Sequence, residues 1–232
     1  MARKLETIGF DADDTLWHNE RFFKLTQDRF ETLLTEYSER AHLHDRLIAA
    51  ERRNIGHYGF GVKGFVLSMI ETAIDVTDGQ VPGHVIRELL DAGQEMLAHP
   101  VELLPHVRDT VEALAGTHRI VLITKGDLLH QERKLAQSGL GDLFDDVAIV
   151  SDKSASTYRA AFGAHPGGTD AAMMVGNSMK SDVVPAIEAG SWGVFVPHDL
   201  AWDLEAADAP RSARFRELTD LSELPQLVAE IG

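Results

Sequence analysis

The sequence predicts an α/β fold, a five-stranded parallel sheet interrupted after its first strand by an inserted helical segment. Three observations lead there. A short apolar run, Ile8 to Phe10, stops abruptly at Asp11-Ala12-Asp13-Asp14-Thr15. Between residues 18 and 99 apolar residues recur at helical spacing, and no segment reads as a strand. From residue 100 onward, short apolar runs alternate with helical stretches, which implies parallel strands joined by right-handed crossovers.

Taken in order, Ile8 to Phe10 is the end of a buried first strand. Phe22, Leu25, Phe30, Leu33 and Leu34 mark a helix, and Ala49 to Arg53 ends another. Residues 54–64 hold four glycines, Gly56, Gly59, Gly61 and Gly64, and read as a loop or tight turn. Phe65 to Ile74 and Val85 to Leu97 are helices. His99-Pro100 marks the return, and Pro105 falls near the first turn of the next helix. Ile120 to Ile123, Val147 to Val150, Ala171 to Val175 and Trp192 to Val196 are the other four strands. Helices over Leu128 to Gln137, Ser154 to Phe162 and Val183 to Ala189 lie between them, with Gly139 and Gly190 as stops. The tail from Leu200 is mixed in pattern and closes with a helix from Leu221 to Ile231. The expected division is therefore a core of residues 1–17 and 100–232 and a helical module of residues 18–99.

Composition narrows the function. The net charge of −15 argues against nonspecific binding to nucleic acid or an anionic membrane, both of them polyanions. With no cysteine, neither a disulfide framework nor a thiolate zinc site is possible. The amino terminus lacks the apolar core of a signal peptide, and no apolar run is long enough to span a bilayer. A soluble, cytoplasmic protein is expected.

Asp11 and Asp13 are two residues apart, so on an extended backbone their side chains share one side. They sit at the carboxyl end of a strand, where open α/β sheets place their chemistry. Two such charges repel unless a cation lies between them or one takes a proton. The stretch therefore predicts a Mg2+ site, an acid/base pair, or both. A helix cap would need only one of these aspartates.

Further polar residues follow the other strands. Thr124 offers a hydroxyl beside backbone N–H groups near a helix start, which suits a phosphate oxygen or a simple cap. Lys153 is either a surface charge or a cation pointed at the acidic cluster. Asn177 and Asp182 flank a short loop as oxygen donors of the kind Mg2+ takes, or serve as turn former and first-turn carboxylate. In a parallel sheet these ends meet at one edge beside Asp11. The eleven histidines form no metal-ligand spacing. No nucleophile elbow, Walker loop or dinucleotide fingerprint is present.

Together these strings resemble the haloacid dehalogenase-like hydrolase superfamily. Asp11-Ala12-Asp13-Asp14-Thr15 is similar to its first motif, Thr124 to its second, Lys153 to its third, and Gly176-Asn177-Ser178 through Asp182 to its fourth. The resemblance covers residues 7–197. It implies a Rossmann-like core with a C1-type helical cap closing over the site. It also implies that Asp11 is a nucleophile forming an aspartyl-phosphate, and that Asp13 is the acid/base. Thr124, Lys125 and Lys153 would contact phosphate, with Mg2+ held by Asp11, Asp13 through its carbonyl, Asn177 and Asp182. Asn177 stands where the family often has aspartate, and Lys125 where asparagine is common. The family's dehalogenases lack the second aspartate and need no metal, so the presence of Asp13 favours hydrolysis of a phosphate monoester, with a small phosphorylated metabolite as partner. A dehalogenase, a phosphomutase, and a silent ligand-binding or regulatory protein are the alternatives. His57, Tyr58, Lys63, Arg52 and Arg53 are cap positions that could set specificity or merely be solvated.

Overall fold

The computed structural model describes residues 4–200, 202, 205 and 207–232. Its sheet has six strands in the order β3-β2-β1-β4-β5-β6. β1 (Thr7–Phe10) lies between β2 (Arg119–Lys125) and β4 (Ala172–Gly176), and every pairing is parallel. β3 (Asp146–Val150) flanks β2, while β5 (Trp192–Phe195) and β6 (Phe215–Glu217) continue beyond β4. The chain steps outward one way from β1 to β3 and the other way from β4 to β6. The switch in direction falls between β1 and β4, where such sheets open a crevice at their carboxyl ends.

The chain divides into two compact units. One comprises Met1–Glu20, Val101–Lys125 and Gln131–Gly232, and the other Arg21–Pro100 and Gly126–His130. The first unit carries the sheet and buries both its faces. Ile8, Phe10, Ile120, Leu122, Met173 and Val175 point to one side, where they pack with α5 (Val107–Ala115) and α9 (Leu224–Ile231). The intervening Val121, Ile123, Ala172 and Met174 point to the other, against Tyr158 and Phe162 of α7 (Ala155–Gly163) and Ala186 of α8 (Val184–Ala189). This alternation explains why the strands read as unbroken apolar runs. Gly9 makes the second face possible, because a Cβ there would lie 2.8 Å from the Phe162 ring.

The second unit is helical: α1 (Glu20–Leu33), α2 (Arg40–Tyr58), α3 (Val62–Val76) and α4 (Gly83–Ala98). Its core is built from Phe30, Leu34, Leu43, Leu47, Phe65, Met69, Val85 and Leu89. Gly93 of α4 lets the helices approach closely, since a Cβ there would collide with Val66 of α3. Residues 126–130 belong to this unit, and Lys63 Nζ lies 2.7 Å from Asp127 Oδ2. α6 (Leu128–Ser138) spans the boundary between the two groups.

Two local expectations change. The glycine-rich segment is mostly helix: α2 continues through Gly56 to Tyr58, and only Gly59 and Gly61 take the positive φ of a turn. Gly64 is helical and is required by contact, because its Cβ would sit 2.8 Å from the Gly59 carbonyl oxygen. The sheet also gains β6 to the five expected strands. Phe-Arg-Glu has no apolar run to announce it, and it forms by pairing with β5.

Candidate active site

Asp11, Thr124, Lys153, Asn177 and Asp182 all lie at the carboxyl edge of the sheet, within the first unit. Register brings them there. Phe10 pairs with Leu122 on one side and Val175 on the other, so Asp11, Thr124 and Asn177 emerge close to one another. Asp11 continues the ladder through its N–H, which donates to the Val175 carbonyl at 2.9 Å.

Lys153 is the electrostatic centre. Its side chain is 1% exposed, and its ammonium donates to Asp11 Oδ1 and, at 2.7 Å, to Asp182 Oδ1. Burial would strip the ammonium of its proton, but the two carboxylates outweigh it and raise its pKa. The opposite holds at Asp11. Burial pushes its pKa up to about 7, with the Asp182 and Asp13 charges adding to the rise and Lys153 opposing it. Thr15 Oγ1 donates to Asp11 Oδ2 at 3.0 Å and lies 3.3 Å from Asn177 Oδ1, while the Asn177 N–H donates to the same hydroxyl at 3.1 Å.

Asp182 sits in a π-helical turn, Met179–Val183, ahead of α8. Extra backbone width of this kind is common at functional positions. Its Oδ2 accepts the Ser178 N–H at 2.9 Å. Gly176 is needed here, since any Cβ would overlap the Asp182 carboxylate.

Asp13 is held apart from this cluster. Its Oδ1 accepts from Lys134 Nζ at 2.6 Å and Trp17 Nε1 at 2.7 Å, and its Oδ2 from Gln131 Nε2 at 3.1 Å. Burial alone would raise its pKa, but the Lys134 ammonium and these donors bring it below the ordinary carboxylate value. Gln131 also donates to Thr124 Oγ1 at 2.7 Å. Gln131 and Lys134 were not anticipated from the sequence. Their spacing of three on the helix after Thr124 is the signal that places both on one face.

Lys125 Nζ donates to Ser181 Oγ at 2.8 Å and to Glu205 Oε1 at 2.6 Å. Glu205 also accepts from Ser178 and Ser181. Burial pushes the Glu205 pKa up, and Lys125 with these hydroxyls overrides it, so the carboxyl stays below its ordinary value. Asp14 acts as a helix cap: its carboxylate accepts the N–H groups of Asn19 at 2.9 Å and Glu20 at 2.8 Å, where α1 begins. In the helical unit and the residues joined to it, Arg53 pairs with Glu71, Lys63 with Asp127, and Tyr58 is half exposed.

The donor set suits a hard divalent cation. Two carboxylates and an amide oxygen are gathered by one ammonium and one hydroxyl, all oxygen ligands of the kind Mg2+ prefers. The Lys153 ammonium already holds positive charge between Asp11 and Asp182.

The chain matches the family model described as haloacid dehalogenase-like hydrolase over residues 5–190. No curated protein matches it significantly. A haloacid dehalogenase-like family hydrolase from Xanthomonas campestris is similar over 98% of this chain and 91% of its own, at 38% identity and a TM-score of 0.88. The HAD-hydrolase YfnB from Bacillus subtilis, solved bound to magnesium, shares the fold at 15% identity and a TM-score of 0.66, covering 97% of this chain and 99% of its own. So does the L-2-haloacid dehalogenase from Xanthobacter autotrophicus, solved with chloropropionic acid covalently bound, at 15% identity and 0.64, covering 98% and 100%. With most of its length matched by the family model, this chain belongs to the haloacid dehalogenase-like hydrolases.

Proposed function

We propose that this hydrolase is a Mg2+-dependent phosphohydrolase acting on a small phosphate monoester. The observation that carries the reading is Asp13, a second carboxylate two residues beyond Asp11, held in place by Lys134, Trp17 and Gln131. A dehalogenation that uses one carboxylate nucleophile has no task for it.

In this reading an Asp11 oxygen attacks phosphorus as the bond to the leaving oxygen breaks, giving an aspartyl-phosphate. Asp13 supplies the proton that the leaving oxygen takes. A phosphate dianion nearby raises a carboxyl pKa, so substrate itself helps Asp13 acquire that proton against the pull of Lys134. In the second step Asp13 takes a proton from water, the water oxygen bonds to phosphorus, and the Asp11–phosphorus bond breaks. Inorganic phosphate leaves and both carboxyls return to their starting forms. Lys153 and Thr124 hold phosphoryl oxygens, with Gln131 orienting the Thr124 hydroxyl. Asp11, the Asp13 carbonyl, Asn177 and Asp182 would hold Mg2+, whose charge neutralises the transferring group and keeps Asp11 ionised. Lys125 fixes the Asn177 to Asp182 loop through Ser181 and Glu205.

The experiment is hydrolysis of p-nitrophenyl phosphate with Mg2+, with EDTA, and with Asp11→Asn, beside halide release from 2-chloropropionate. Mg2+-dependent phosphate release that Asp11→Asn abolishes, without halide release, supports the reading. Halide release without phosphatase activity would replace it with dehalogenation.

A further inference from the structure

We propose that Asp14, His18 and His198 form a binding site for a divalent transition-metal ion such as Zn2+, distinct from the oxygen-lined Mg2+ site. Each offers one ligand atom, and these atoms lie within 4.8 Å of one another. Two imidazoles and a carboxylate are a donor set for borderline ions, whereas Mg2+ takes oxygen. The inference does not depend on the phosphatase reading.

The geometry is that of a site set to receive a cation. His198 Nε2 is 3.6 Å from Asp14 Oδ1, beyond a hydrogen bond. Two ligands of a tetrahedral Zn2+, at ordinary bond lengths, stand about 3.4 Å apart. The tautomer of His198 fits as well. Its Nδ1 is 2.9 Å from the Leu200 carbonyl oxygen, which can only accept, so Nδ1 carries the proton. The Leu200 N–H, 3.3 Å from the same nitrogen, is the longer and weaker contact. The other ring nitrogen, Nε2, faces the Asp14 carboxylate, so a cation between them would be held from both sides. A backbone carbonyl on the far ring nitrogen is also the usual outer support of a metal-bound histidine.

The remaining ligands are held by backbone. Asp14 is buried, and each of its oxygens accepts one N–H, from Asn19 and from Glu20, which leaves each a lone pair. The His18 N–H donates to the Glu102 carbonyl at 3.0 Å. The His18 and His198 rings meet edge to face with centroids 6.0 Å apart. An ion here would clip the loop after Asp13 to the segment following β5.

The test uses the full chain stripped of metal with EDTA, then titrated with Co2+ in excess Mg2+, so that oxygen-only sites are filled. One equivalent of Co2+ with the visible absorption of a four-coordinate ion is expected. Affinity should fall about tenfold or more in His18→Gln and in His198→Gln. His42→Gln, at an exposed position of α2, should bind as the wild type does. Wild-type protein without that absorption, or either histidine variant binding unchanged, would overturn the site. Diethyl pyrocarbonate labelling of the wild type, mapped by mass spectrometry, is independent of any folding defect in the variants. Co2+ should protect His18 and His198, and labelling that Co2+ leaves unchanged at both would count equally against the proposal.

Discussion

At the scale of single residues, the site is an exercise in charge burial. Asp11 is a carboxylate whose pKa rises to about 7 in the folded protein, chiefly through burial. Between its ordinary value and about pH 7 the folded state keeps a proton that the unfolded chain has lost. Stability therefore falls as pH rises through that window and stays lower above it. Asp11→Asn removes the penalty. In EDTA at pH 8 it should stabilise the fold by about 1–3 kcal/mol, with less effect near pH 4, read by urea unfolding at both pH values. Asp13 has the opposite sign, because Lys134 holds it below the ordinary value. In Lys134→Met burial is left to dominate, and the limb of the pH–rate profile that reports Asp13 should move up by roughly 1 unit or more. Lys134→Arg should move it less. The sequence made Asp11, Asp13, Thr124, Lys153, Asn177 and Asp182 legible because each follows an apolar strand. It hid Lys134 and Gln131 inside an ordinary amphipathic helix, and it hid the meeting of His18 with His198, which a long stretch of sequence separates and the turn of the chain after β5 creates.

At the scale of elements, small residues decide how closely the pieces pack. The α3–α4 contact rests on Gly93 against Val66. Gly93→Ala has no room to relax without moving a helix and should destabilise the protein by about 1–3 kcal/mol, with the loss reported by hydrogen exchange in α3 and α4. Gly176 does the same for the π-helical turn. Gly176→Ala would displace the Asp182 carboxylate and with it the partner of Lys153. It should lower Mg2+ affinity more than it lowers the unfolding temperature, as calorimetric titration and thermal unfolding would separate. Strands and helices with clear period were readable in order. The glycine-rich segment misled because glycine marks either positive φ or close contact. Gly59 and Gly61 do the first, while Gly64 does the second inside a helix. β6 had no signal of its own, since a three-residue edge strand is made by its neighbour.

At the scale of the whole molecule, a net charge of −15 coexists with a site that the proposed function gives to an anionic substrate. The sheet reconciles the two by gathering Lys153 and Lys134 beside the carboxylates at one edge. Among the described residues no helix is long and apolar enough to cross a membrane. Mg2+ that binds only the folded protein should raise its stability with concentration, by about 2.7 kcal/mol at a hundredfold excess over Kd. The dependence should vanish in Asp182→Ala. The measurement that bears most directly on the chemistry is acid quench of the wild-type enzyme during turnover of a phosphate monoester with Mg2+, followed by peptide mapping. A phosphoryl group labile to hydroxylamine on the peptide containing Asp11 is the expected result. Turnover with no phosphopeptide, or with the phosphoryl group on another residue, would contradict the assignment of Asp11 as nucleophile.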